Sequence, residues 1–218
     1  MPAFSRLSSL AVPVLALAVA GAGTQSAALA AGAPSQASGT LIPKVKPATA
    51  NDLDFRPGTL RLVTDADSGA RFWVFTYTIA NKTGKTQRFS PRFELLMGDG
   101  TILEAGRDVP VEAGRRVLRS VGSDQALDQF QIMGEILDGE ANAREGVVVW
   151  PAKGDSKEMT LFVAGMSSAF DRVKDPATGK DTTIRRSWSR QYSVPGAPDP
   201  RVASEASFDP IKDAWLMR

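Results

Sequence analysis

The chain has 218 residues, with 26 Lys and Arg against 24 Asp and Glu, and it contains neither histidine nor cysteine. Without those two residue types there can be no Ser-His-Asp triad, no His- or Cys-ligated transition metal and no disulfide, so no cofactor and no metal are expected. The balanced charge gives no electrostatic footprint for nucleic acid.

The first thirty residues read as a targeting segment. Arg6 is followed by an uncharged Leu, Val and Ala run over residues 7–22, and the segment ends Ala28-Leu29-Ala30. That order is a secretory signal peptide (residues 1–30), cut after Ala30, with Ala20 and Ala28 as the alternative cleavage positions. The apolar run is shorter than the ~20 residues of a spanning helix. The expectation is a periplasmic or extracellular protein with no membrane span after cleavage. Residues 31–51, rich in Ala, Gly, Pro, Ser and Thr, read as a flexible leader, because they cannot bury enough surface to offset ordering.

From Phe55 the texture is that of strands. Residues 59–64 alternate around Leu60 and Leu62, and Asp65-Ala66-Asp67-Ser68-Gly69 is a turn. Residues 71–80 form the strongest strand. Trp73, Phe75, Tyr77 and Ile79 lie on one phase, Phe72, Val74, Thr76 and Thr78 on the other. Asn81-Lys82-Thr83-Gly84 makes a hairpin turn, and residues 89–97 return with Phe89, Phe93, Leu95 and Met97 in phase. After the turn Gly98-Asp99-Gly100, another short strand begins at Thr101. One short helix is predicted over residues 124–131, capped by Ser123, with Ala126, Leu127, Phe130 and Ile132 at helical spacing.

Strands resume at residues 132–137, 146–150 and 158–164. A long hairpin follows, residues 168–174 and 182–194 around the turn at 175–180. The predicted domain spans residues 52–194, and residues 195–218 form an extended tail that docks on it through Trp215, Leu216 and Met217. Short alternating strands every 8–12 residues or so point to an all-β sandwich with one short helix and a long C-terminal hairpin.

The run from Trp73 to Gly84 resembles the second strand and turn of exported immunoglobulin-like bacterial domains. Gly134-Glu135-Ile136-Leu137-Asp138-Gly139-Glu140, followed by residues 146–150, does so too. The stretch from Phe55 to Arg218 is similar to an uncharacterised family of exported proteins of planctomycete-like bacteria. These motifs are structural, so the resemblance implies an immunoglobulin-like β-sandwich and carries over no activity.

Four motifs imitate chemistry. Gly165-Met166-Ser167-Ser168-Ala169 has the spacing of a nucleophile elbow, but a hairpin follows where the elbow needs a helix and a base. Gly84-Lys85-Thr86 lacks the earlier glycine of a phosphate loop. Asp65 to Gly69 lacks the closing glutamate of a calcium loop, since Thr76 stands at the twelfth position. Asn81-Lys82-Thr83 is formally a glycosylation sequon that the turn accounts for. Glu94, Glu104, Asp108, Glu135 and Glu140 are scattered carboxylates among which nothing selects a catalytic pair.

One surface stands out as a ligand-binding candidate. In a strand, Arg186, Trp188, Arg190 and Tyr192 share a face, and Arg185, Ser187, Ser189, Gln191 and Ser193 share the other. Arginine interleaved with Trp and Tyr suits a polysaccharide or acidic polymer, provided the rings are exposed. The alternative is that Trp188 and Tyr192 pack on the core edge beneath arginine stems. The functional expectation is an exported, non-catalytic binding or envelope-structural module whose partner is an envelope protein or a polysaccharide. The alternative is a carboxylate- or hard-cation-dependent hydrolase.

Overall fold

The strongest predicted strand is the centre of the fold, because it is buried on both faces. The computed structural model describes residues 52–153, 156–194 and 205–218; the predicted signal peptide, leader and first part of the tail lie outside them. In chain order the strands are β1 (Asp54–Thr64), β2 (Arg71–Asn81), β3 (Gln87–Phe89), β4 (Arg92–Met97) and β5 (Ile102–Glu104). Helix α1 (Val111–Val121) precedes β6 (Leu127–Asp128), β7 (Gly134–Ile136), β8 (Gly139–Pro151) and β9 (Glu158–Ala164). The last four are β10 (Phe170–Lys174), β11 (Asp181–Ser193), β12 (Glu205–Phe208) and β13 (Pro210–Met217).

One sheet has the order β12-β1-β2-β8-β6, antiparallel except for β6. A second joins β5, β4, β9 and β11, with β10 on the first part of β11 and β13 along its second part, and β3 pairs with β7 as a separate two-stranded sheet. The fold is thus mostly antiparallel β-sheet, with α1 as its one helix among the described residues. Alternation decides what each strand buries. Trp73, Phe75, Tyr77 and Ile79 of β2 join Phe93 and Leu95 of β4, Leu161 and Val163 of β9, and Trp188 and Tyr192 of β11 in one core. Ring contacts cross from sheet to sheet: Tyr77 to Phe93 at 4.9 Å between centroids, Phe55 to Trp188 at 5.0 Å and Phe75 to Trp188 at 6.4 Å.

The opposite phase of β2 is buried by a different partner. Phe72 and Val74, with Val147 and Val149 of β8, pack against Ala113 and Val117 of α1. Those two side chains are four residues apart and so share one helix face. The helix starts after Pro110, with Glu112 in its positive first turn and Arg119 in its negative last turn. It stops where Gly122 donates its amide to the Leu118 carbonyl at 2.9 Å.

The helix predicted over residues 124–131 does not form. Ser123 donates its hydroxyl to Glu145 at 2.7 Å, and Asp128 Oδ1 accepts the amides of Phe130 and Gln131 at 2.8 Å each. Such side-chain bonds to neighbouring amides compete with helix, and Leu127–Asp128 instead pairs parallel to β8. The described end of the tail is also more regular than an extended docking segment. β12 adds to β1, and β13 pairs with β11 from Met217 to Pro210.

Helix α1 is tied to the first turn by charge. Arg116 grips the buried Asp65 with two hydrogen bonds, 2.8 and 2.7 Å, and the Ser68 hydroxyl donates to the same carboxylate. Arg116 first, and Ser68 next, hold the Asp65 carboxyl well below the usual carboxylate range. A depressed carboxyl adds stability above its unfolded value and loses that contribution as pH falls towards its folded one. Asp65→Asn should therefore lower the denaturation midpoint near neutral pH, with the gap to wild type closing below about pH 4. A gap of constant size down to strong acid would contradict this.

Candidate functional site

Strand β11 has two faces with opposite fates, and the aromatic one points inward. Trp188 is 5% exposed and Tyr192 1% exposed, both inside the shared core. The binding face expected from Arg186, Trp188, Arg190 and Tyr192 is therefore corrected: rings that lie between two sheets cannot stack on a polymer. Burial also pushes the Tyr192 phenol above its ordinary range.

The two arginines of that face serve the scaffold. Arg186 is buried, pairs with Asp52 and lies 4.3 Å over the ring of Trp215. Its backbone amide takes the Ala169 carbonyl, so one residue fastens the entry to β1 and the loop before β10 to the last strands. Arg190 makes a two-pronged pair with Asp213 of β13 at 2.6 and 2.7 Å. Its remaining nitrogen reaches the Gly58 carbonyl at 3.1 Å, where β1 bulges between Pro57 and Leu60. Gly58 permits that bulge, because a Cβ there would meet the Thr76 hydroxyl oxygen at 2.4 Å.

The opposite phase of β11 faces an open groove of about 550 Å³ on the outside of its sheet. Arg92, Glu94, Phe162, Thr183, Arg185, Ser187 and Arg218 line it, together with the loop from Gly165 to Ser167. Arg218 stacks 4.2 Å over the Phe162 ring and pairs with Glu94, which Arg92 holds from the other side at 2.8 Å. Arg185 is exposed, and among the described residues its guanidinium has no ion-pair partner. The groove thus presents three guanidiniums and one carboxylate above a floor of small hydroxylated residues.

Each residue imitating chemistry has a structural occupation. Gly165 takes a φ of +89°, and a Cβ there would meet the Ser90 carbonyl at 2.4 Å. The elbow-like loop is thus a tight crossing between β9 and β10, and Ser167 accepts the Ala169 amide at 3.1 Å. Gly84 donates to Asp138 at 2.7 Å, and buried Asn81 donates to the Lys85 and Ile136 carbonyls at 2.8 Å. Glu94 and Glu104 do come together, as direct partners on β4 and β5. Arg92 bridges them, and Arg107 takes Glu104 from outside at 3.1 Å. Asp108 pairs with Lys153, and Glu140 pairs with Arg56 and Lys82. Glu135 adds its backbone carbonyl to the Arg144 side chain.

Sequence reasoning sorted the β11 residues into the right two sets but examined the wrong one. The usable signal was the composition of the second set, Arg185, Ser187, Ser189, Gln191 and Ser193, which has no apolar member; Arg185, Gln191 and Ser193 are exposed, and Ser187 and Ser189 are buried. Arg92 and Arg218 come from distant segments and only the sheet register brings them to Arg185. Comparison with protein-family models, with curated proteins and with solved structures finds no match.

The Arg186 and Asp52 pair gives a test of the scaffold role. Arg186→Met, which removes the buried guanidinium that pairs with Asp52, should cost about 3–5 kcal/mol of unfolding free energy in denaturant titration. A change under about 0.5 kcal/mol, the range of an ordinary surface substitution, would show that the pair is exposed in solution.

Proposed function

We propose that this chain is an exported immunoglobulin-like domain that acts as a non-catalytic binding or envelope-structural module through the outer face of the β4, β9 and β11 sheet. The observation that carries the reading is the division of labour on β11. Its aromatic face is consumed by packing, whereas its polar face opens on a groove with Arg92, Arg185 and Arg218.

Topology supports the finer fold. In immunoglobulin domains the first, second, fourth and fifth strands share one sheet, and the third, sixth and seventh share the other. Taking β1, β2, β4, β5, β8, β9 and β11 as seven successive strands, β1, β2 and β8 sort together, and so do β4, β9 and β11, whereas the fourth, β5, departs from that pattern and pairs with β4. Two features favour binding over catalysis. The chain has no histidine or cysteine to move a proton or attack a carbonyl near neutral pH. The adjacent carboxylates Glu94 and Glu104 direct oxygens at Arg92, Arg107 and Arg218, where a glycosidase would present them to substrate. Export is supported by the charge, apolar run and small residues of the first thirty positions.

Fractionation of the native bacterium with N-terminal sequencing tests the compartment. The protein should be recovered from the periplasm or medium beginning at Ala31. A full-length chain confined to the cytosol would contradict export.

A further inference from the structure

We infer that an apolar ridge and groove beside helix α1 join this chain to a second copy of itself about a two-fold axis. The inference is independent of what the outer face of the β4, β9 and β11 sheet binds.

The surface lies where α1 meets the turn that stands in place of the predicted helix. Val111, Gly114 and Leu118 of α1 form one wall of a groove of about 250 Å³, and residues 128–131 form the other. Phe130 also lines a second groove, of about 180 Å³, together with Pro91, Ala105 and Met133. Its ring is therefore a ridge between two hollows. Phe130 is 64% exposed, Val111 66% and Met133 42%, so three large apolar side chains meet water on one continuous stretch. Contiguous exposed apolar surface on a globular domain marks a contact site. The exposure is built into the turn. Asp128 Oδ1 accepts the amides of Phe130 and Gln131, and the amide of Ile132 donates to the Asp128 carbonyl at 3.1 Å. Ile132 is wholly buried, so the chain is pinned on both sides of Phe130 while its ring is held outward. Gly106, at a φ of +73°, leaves room beneath: a Cβ there would meet the Phe130 ring at 3.1 Å.

Two features select a second copy as the occupant. A two-fold interface needs one surface that carries both halves of the contact. Here the projecting ring and the recess lie side by side, so the Phe130 ridge of each copy enters the α1 groove of the other. A socket for a foreign chain would need only the recess. The two walls also carry opposite charge, Arg115 on α1 and Asp128 on the turn. A two-fold rotation sets the α1 wall of each copy against the turn wall of the other, so Arg115 faces Asp128 twice. Both groups are available for that contact. Arg115 pairs with Glu112 at 2.8 Å, but both side chains are exposed, and such a pair holds little energy. Asp128 spends Oδ1 on its own turn, which leaves Oδ2 for the arginine.

Sedimentation equilibrium of the purified protein, from micromolar to millimolar concentration, tests this. A monomer–dimer equilibrium is expected. Phe130→Asp should weaken association about tenfold or more, the effect of removing a central aromatic anchor. Arg115→Glu should weaken it and remove most of its salt dependence. Ile211→Asp, which replaces an equally exposed apolar side chain on β13, should associate like wild type. Denaturant midpoints of the variants, measured at a concentration where all are monomeric, should match wild type because the three side chains are exposed. Should Phe130→Asp fail that check, Val111→Asp on the facing rim takes its place, with the same loss expected. A Phe130→Asp variant that folds and associates like wild type, loss of association in Ile211→Asp, or oligomers larger than a dimer would each overturn the inference. A protein that stays monomeric throughout would also overturn it and leave the patch to a foreign chain.

Discussion

The inward face of β11 is the constraint on which the rest of this structure depends. One strand supplies Trp188 and Tyr192 to the core between the sheets, and Arg186 and Arg190 to the ties that hold Asp52, the bulge of β1 and β13 against it. Trp188 touches Phe55 and Phe75 of the opposite sheet, so both sheets meet on its ring. Arg190 then spans the same two layers in polar form, with Asp213 on its own sheet and the Gly58 carbonyl on the other. A chain without cysteine has no disulfide with which to clamp two sheets. Here interlocked aromatic packing and a few charged ties do that work.

The same constraint fixes where ligand can bind. Side chains alternate along a strand, so committing Trp188 and Tyr192 to the interior commits Arg185, Gln191 and Ser193 to the exterior. The register with β9 and β4 then brings Phe162, Glu94 and Arg92 alongside, and pairing with β13 delivers Arg218. Arg92 with Glu94, Phe162, the β11 residues and Arg218 come from four separate segments of the sequence. Sheet formation assembles the groove.

How much of this was legible in the sequence differs by element. β2 was plain, because Trp73, Phe75, Tyr77 and Ile79 recur every second residue. Its second phase, with Phe72 and Val74, is buried against α1. The covering helix was not legible. Gly114 and three valines give α1 weak intrinsic preference, and it exists because Ala113 and Val117 bury on the sheet while Arg116 locks onto Asp65. Residues 124–131 had the reverse problem. Their spacing suits a helix, but Ser123 and Asp128 spend their side chains on turns and leave Phe130 64% exposed. For β11 the sequence defined the two faces and left open which was inside, a question only the partner sheet answers.

Labelling of single-cysteine variants by a thiol reagent under native conditions tests the orientation of β11 directly, because the chain contains no cysteine of its own. Cysteine at position 191 or 193 should react as fast as an unfolded peptide, whereas cysteine at position 192 or 194 should be protected until the protein is denatured. Fast labelling at 192 and 194, with protection at 191 and 193, would mean that the aromatic face is the outer one and that the two sheets do not meet on Trp188.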